Sequence, residues 1–431
     1  MVLRKNDVIA MTQITLLLMN GFFFKHELLG VSAGVLSVFL LFTPAYMIPT
    51  LLVSAFMDMD CFIVGNLTAS RFFTLLLIFA PILLNKDKSV FNLKLLVYVI
   101  ISVFYISISA FYSSGNLNTS AMTMLLNLFL IVSMSAFNAN HFHEVKKIIE
   151  FACCEILLCM FVNLSTGSNI HYNGAYEFIS DTNNNMIGMV IACVGAFFVG
   201  CYMTERDGGM IKKIFYISVV CACLFLAFLS GSRSATFGLF AAICVGLVIS
   251  LIQSGANLMK IIGFAAVFAI VCIILNDVLL SFPVLADRFT LHEIQKSGGT
   301  GRFEIWSYVW NEVFPKNPIF GVGFGGEQIK NLLLDGMIKH SGIHNLFLDV
   351  LCQLGILGFT FFMYGLFYLL KNLYKESKND INFIIPFVML IACVFNGIGE
   401  NIFLQRHFWV VAGLGTMFFN KDFNQRGSLK K

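Results

Sequence analysis

Residues 344–370 read HNLFLDVLCQLGILGFTFFMYGLFYLL. The run is apolar over more than membrane-spanning length, since a hydrocarbon core of about 30 Å needs roughly 20 apolar residues in a helix. Asn345, Asp349 and Gln353 recur every fourth residue, so on a helix they line one face. An acid inside a span faces the bundle interior or water, rarely lipid. The stretch therefore predicts a transmembrane helix with a polar stripe and His344 at its mouth.

The rest of the chain repeats the apolar part of that pattern. It is 58% hydrophobic and 12% charged, with mean hydropathy +0.83, far from the composition of soluble domains. Apolar runs fall at 8–24, 28–43, 45–59, 71–84, 93–113, 120–137, 147–164, 186–204, 214–230, 234–254, 261–281, 344–370, 383–400 and 406–420. The runs are continuous rather than alternating, which excludes a β-barrel. The expectation is an all-α polytopic membrane protein of 12 to 14 spans, one integral domain over 1–431. No small-residue cleavage site follows the first apolar run, so that span is expected to remain as an anchor.

Basic residues set the orientation. With the N-terminus in the cytoplasm, eighteen Lys and Arg fall on cytoplasmic segments and ten on the other side. Both termini are then inside, and the segment 281–343 becomes one large outward loop, periplasmic in a Gram-negative cell. Arginine departs from the trend: Arg71, Arg233, Arg288, Arg302 and Arg406 all lie outside. Lysine alone would satisfy topology. Arginine adds a planar fork of donors that grips phosphate bidentately. Pairing with nearby carboxylates or snorkelling to headgroups is the plainer account of Arg71, Arg288 and Arg406.

The twelve cysteines lie in or beside apolar runs without a CxxC pair, and read as small core hydrophobes. No Cys/His cluster, HExxH, GxxxxGK[ST] or GxGxxG appears, so neither a metal, a nucleotide nor any other cofactor is expected. The net charge of +4 follows from topology and not from nucleic acid binding.

Four outward constellations stand out. Ser230-Gly231-Ser232-Arg233-Ser234 is a tight hairpin between spans, either a capped turn with an interfacial arginine or an arginine facing a wet cavity. In Arg302-Phe303 leading into EIWSYVW, Phe303, Trp306, Trp310 and Val313 follow helical spacing. They predict an amphipathic surface helix ended by Pro315, its tryptophans in the interface and Arg302 at its anion-favouring end. NPIFGVGFGG over 317–326 reads as a tight structural loop or, less simply, an anion cradle. His344 above Asn345, Asp349 and Gln353 reads as a base or donor, or as a cap over a buried network. Farther along, Glu400 and Arg406 are expected to form a local salt bridge, and the Asn residues of 181–185 to cap the following span. Glu155 falls inside a span.

Arg233 in its serine-rich hairpin, GTGRFEIW, NPIFGVGFG and HNLFLDVLCQLGILG, in this order, resemble the signature of the O-antigen polymerase and ligase superfamily. The last block fits His-Asn, nine residues, Gly, two residues, Gly, at His344, Asn345, Gly355 and Gly358. DTNNNMIG, beginning at Asp181, is similar to the family's Asn-bearing stretch, and the likeness covers 181–358. The resemblance implies a multi-pass glycosyltransferase of the bacterial inner membrane, of GT-C type, with its active face in the periplasm. It would use undecaprenyl-pyrophosphate-linked glycans and no metal. Arg233 and Arg302 would hold the pyrophosphate and His344 would assist the acceptor, with Arg288, Asn345, Asp349, Glu400 and Arg406 as further substrate-binding candidates. An O-antigen polymerase is the leading expectation, with a chain-length regulator protein as a candidate partner beside the lipid-linked glycan and membrane lipid. A ligase acting on lipid A core is the alternative, and a transporter of lipid-linked oligosaccharide the reading from another class.

Overall fold

A computed structural model describes residues 3–57, 62–64, 67–84, 92–166, 175–176, 178, 183–205, 209–253, 282–299, 301–325 and 342–419. The run at 261–281 and parts of the segments 165–185 and 281–343 lie outside these residues.

The described residues fold mainly as helices. They are α1 (Lys5–Met19), α2 (Glu27–Leu40), α3 (Met47–Phe56), α4 (Ala69–Leu84), α5 (Leu93–Ser114), α6 (Thr119–Met134), α7 (Ala139–Ser165), α8 (Asn184–Thr204), α9 (Met210–Leu229) and α10 (Arg233–Gln253). The short α11 (Pro283–Asp287), α12 (Leu291–Lys296) and α13 (Arg302–Tyr308) precede α14 (Leu346–Glu376), α15 (Ile384–Asn396) and α16 (Arg406–Thr416). Among the described residues six helices are long and apolar enough to cross a bilayer, those beginning at Lys5, Leu93, Ala139, Asn184, Met210 and Leu346, and shorter apolar helices pack among them. The protein is a multi-pass membrane protein. The runs on either side of Pro44 form separate helices, joined by a 3-10 turn over Pro44–Tyr46. Among the described residues a small antiparallel hairpin, Phe62–Val64 with Leu67–Thr68, departs from helix, and hydropathy gave no means of seeing it.

α8 is the hub. Every residue from Ile187 to Cys201 is buried, and the helix packs against α9, α10 and α15. Lipid is as apolar as leucine, so helices gain little from hiding apolar surface against each other, and close packing through small residues replaces that drive. A Cβ on Gly188 would sit 2.6 Å from the Ser232 side chain, and one on Gly200 2.7 Å from the Ile385 backbone. α8 opens as its sequence predicts, with Asn183 accepting from the Asn185 backbone N–H.

The N-terminal half, which offered no chemistry beyond Arg71, holds a satisfied polar knot. Gln13 donates to the Ala33 carbonyl at 2.7 Å and to Ser37 at 2.8 Å, and accepts from Thr50 at 2.8 Å, tying α1 to α2 and α3. Glu155 accepts from the Thr15 hydroxyl at 2.8 and 3.0 Å, joining α7 to α1. In hydrocarbon an unmade hydrogen bond costs several kcal/mol, so such pairings fix which helices meet.

Candidate active site

The glycine cluster and α14 build the site's floor together. α14 breaks at Gly355, whose φ of 66° and ψ of −174° are not helical. The loop before it fits into the break. Val322 N–H donates to the Cys352 carbonyl and Gly323 N–H to that of Gln353, while Ile356 and Leu357 donate to the carbonyls of Pro318 and Ile319. A Cβ on Gly355 would lie 2.2 Å from the Ile319 oxygen, and one on Gly321 2.4 Å from the Gln353 oxygen. The remaining donors are also committed: Gly321 N–H to Asn317, Phe324 N–H to the Ser109 hydroxyl, Gly325 N–H to the Gln353 side chain. From 321 to 325 every backbone donor therefore points into the protein, which makes this the structural loop and not the anion cradle. Gly355→Ala is expected to undo it, since the methyl group meets backbone and a left-handed φ costs alanine roughly 1 kcal/mol or more. Limited proteolysis in detergent should find 317–325 newly cleavable, and unchanged resistance would contradict the docking.

The polar stripe belongs to the same construction. Asn345 caps α14 by accepting from Phe347 and Leu348 N–H at 3.0 Å, and donates to the Ile398 carbonyl at 3.0 Å. Asp349 is buried and accepts from Gln353 at 2.9 Å. Asn345, Asp349 and Gln353 thus clamp α14 to the turns at 397–401 and 321–325, and the capping account of them holds.

Above the stripe, His344 has φ 50°. A non-glycine residue in that region is held there by its surroundings, often at functional sites. Its Nδ1 lies 3.3 Å from Oε2 of Glu400, and the other oxygen of Glu400 takes an ion pair from Arg302. The Glu400 side chain is only 7% exposed, so little solvent screens either contact. Arg302 opens α13 behind Gly301, and its Nη1 would lie 3.3 Å from a Cβ on Gly399. That same Cβ would lie 2.9 Å from Ser234, which places Arg302 against the first turn of α10. Arg233 begins that turn, donates to the Arg288 carbonyl at 3.4 Å, and feels the charges of both Arg302 and Arg288, partly offset by Glu293. The serines beside it serve the turn: Ser230 donates to the Ala227 carbonyl at 2.7 Å and accepts from Ser232 N–H. Three guanidiniums, one carboxylate and one imidazole therefore form a single arc at one end of the bundle.

One expectation is corrected. Glu400 does not pair locally with Arg406: its oxygens face Arg302 and His344, while Arg406 is 1% exposed and donates to Ser70 and Asn127 inside the bundle. The first turn of α16 carries the side chain inward between α4 and α6, away from the turn that holds Glu400. The surface helix has two unlike faces. α13 passes into a π-turn over Val309–Val313, whose wider turn brings Ile305, Val309 and Val313 into line and buries them. Phe303 and Trp310 are exposed, and Trp306 donates its indole N–H to the Ile343 carbonyl at 2.9 Å.

The family whose description is O-antigen ligase matches residues 217–363, a segment that contains Arg233, Arg288, Arg302 and His344. Among curated proteins, the chain is 21% identical over 326 residues to a Rickettsia typhi protein named "putative polysaccharide ligase", covering 65% of this chain and 75% of that one. Both similarities point to the O-antigen polymerase and ligase superfamily, and they support activity of the ligase and polymerase type. Glu400 lies beyond the matched segment.

Proposed function

We propose that the protein is an O-antigen polymerase of the bacterial inner membrane, joining undecaprenyl-pyrophosphate-linked repeat units at the periplasmic face. The convergence of Arg302 and His344 on Glu400, with Arg233 beside Arg302, is the observation that carries this reading. An acceptor hydroxyl attacks the anomeric carbon of the donor glycan. The bond from that carbon to the pyrophosphate oxygen breaks, and its electron pair leaves with the diphosphate. Arg233 and Arg302, with Arg288 beside them, stabilise that charge as preorganised donors and without a metal. His344 takes the hydroxyl proton on Nε2 while Glu400 holds Nδ1. The donor's polyprenyl tail stays in the bilayer, so holding the diphosphate at the rim does much of the positioning. The excess of basic residues on the opposite segments supports a periplasmic site.

A ligase delivering the glycan to lipid A core is the second reading, favoured by the descriptions of the matching family and of the relative. A transporter would spread its functional charges toward the membrane midplane, unlike this arc at one end. Deleting the gene and staining surface polysaccharide on a gel separates them. One repeat unit on core is the expected result. Polymer left on the carrier lipid, with no repeat on core, would replace polymerase by ligase.

A further inference from the structure

A cavity of about 360 Å³ lies between the outer half of α5 and the loop over 316–321, on the far side of the clasp that the loop makes with Gly355. Its walls are Tyr105, Ile108 and Tyr112 on one side, Ile319 and Phe320 on the other, with Lys316 at the rim. Ile108, Tyr112, Ile319 and Phe320 are all more than half exposed, so the cavity opens sideways along a lipid-facing helix. Its walls are apolar, as those of small-molecule sites mostly are, and Lys316 is its one charged lining residue. An ammonium group above an apolar trough matches an amphiphile with an anionic head, since a lysine near the headgroups contributes about 1 kcal/mol toward acidic lipid.

We propose that this groove seats the polyprenyl tail and proximal phosphate of the acceptor lipid, a second lipid site beside the arginine arc. The inference rests on the polymerase reading, in which donor and acceptor both ride on polyprenyl carriers and both must be held at once. The arc supplies cations for one diphosphate. The groove supplies one cation and an apolar bed, enough to hold a lipid whose phosphate takes no part in the bond change. The loop that forms its wall is tied to the site's floor, because Gly325 N–H donates to the Gln353 side chain and Gln353 donates to Asp349, one turn below Asn345 and His344.

Native mass spectrometry with undecaprenyl phosphate as the probe tests this. Protein carrying Arg302→Ala should still retain one probe molecule through the groove. Adding Ile108→Trp, at a position 67% exposed and free to take a larger side chain, should remove it. Lys316→Ala should weaken retention about fivefold, the factor corresponding to about 1 kcal/mol. Equal retention in the Ile108→Trp and Lys316→Ala variants overturns the groove, and so does equal displacement by phosphatidylglycerol, which would assign it to bulk phospholipid. If the groove binds the probe as described but wild-type protein never lengthens a lipid-linked repeat unit, the polymerase reading fails and the lipid site stands.

Discussion

Arg302→Ala is expected to abolish long-chain polysaccharide while the protein still inserts and accumulates. Removing one preorganised donor from a developing anion typically costs about 10²–10³ in rate. Here the change also strips Glu400 of its guanidinium partner, leaving a nearly buried carboxylate with His344 alone. Arg302→Lys keeps a charge but not the fork, and should recover only part of the loss. Arg233→Ala should act in the same direction, through a side chain whose charge already bears on Arg302. The check is polysaccharide length on a gel against protein amount by immunoblot. Normal long chains from either alanine variant at wild-type abundance would remove that residue from the diphosphate.

His344→Ala should slow transfer by about 10²–10⁴, the usual worth of a positioned base, and should weaken donor binding much less. Alanine is a blunt probe here, because the backbone at φ 50° disfavours most side chains. His344→Asn is the cleaner test. Asparagine tolerates the left-handed region, so the turn should keep its shape while the base is lost. Turnover and donor affinity measured separately decide the matter. Unchanged turnover with poorer donor binding would make His344 a positioning group.

Much of this architecture was legible in the sequence, and the reasons differ by element. The spans were readable because hydrocarbon tolerates only long apolar helices, so composition alone marks them. Arg233, Arg302 and His344 stood out because charge beside a span is costly and rarely idle. Glu400 was noticed but given the wrong partner. Its nearest cation in sequence is Arg406, and nothing local reveals that the first turn of α16 carries that guanidinium inward to Ser70 and Asn127. The contact Glu400 makes instead spans 98 positions, beyond the reach of any periodicity. Gly355 was visible as one glycine of a spaced pair, but its purpose was not. A helix break filled by another segment's backbone leaves no side-chain pattern, because the partners are carbonyls and N–H groups that every residue carries.

The backbone insertion at Gly355 has a consequence for biosynthesis. Ile356 and Leu357 sit inside a span yet find their acceptors at Pro318 and Ile319, in a segment the ribosome delivers earlier. When that span enters the bilayer, the carbonyls it needs have already been made. A circular permutant that made 346–376 first would send two bare N–H groups into hydrocarbon, each at a cost of several kcal/mol. The order of translation is thereby part of what lets this helix be broken.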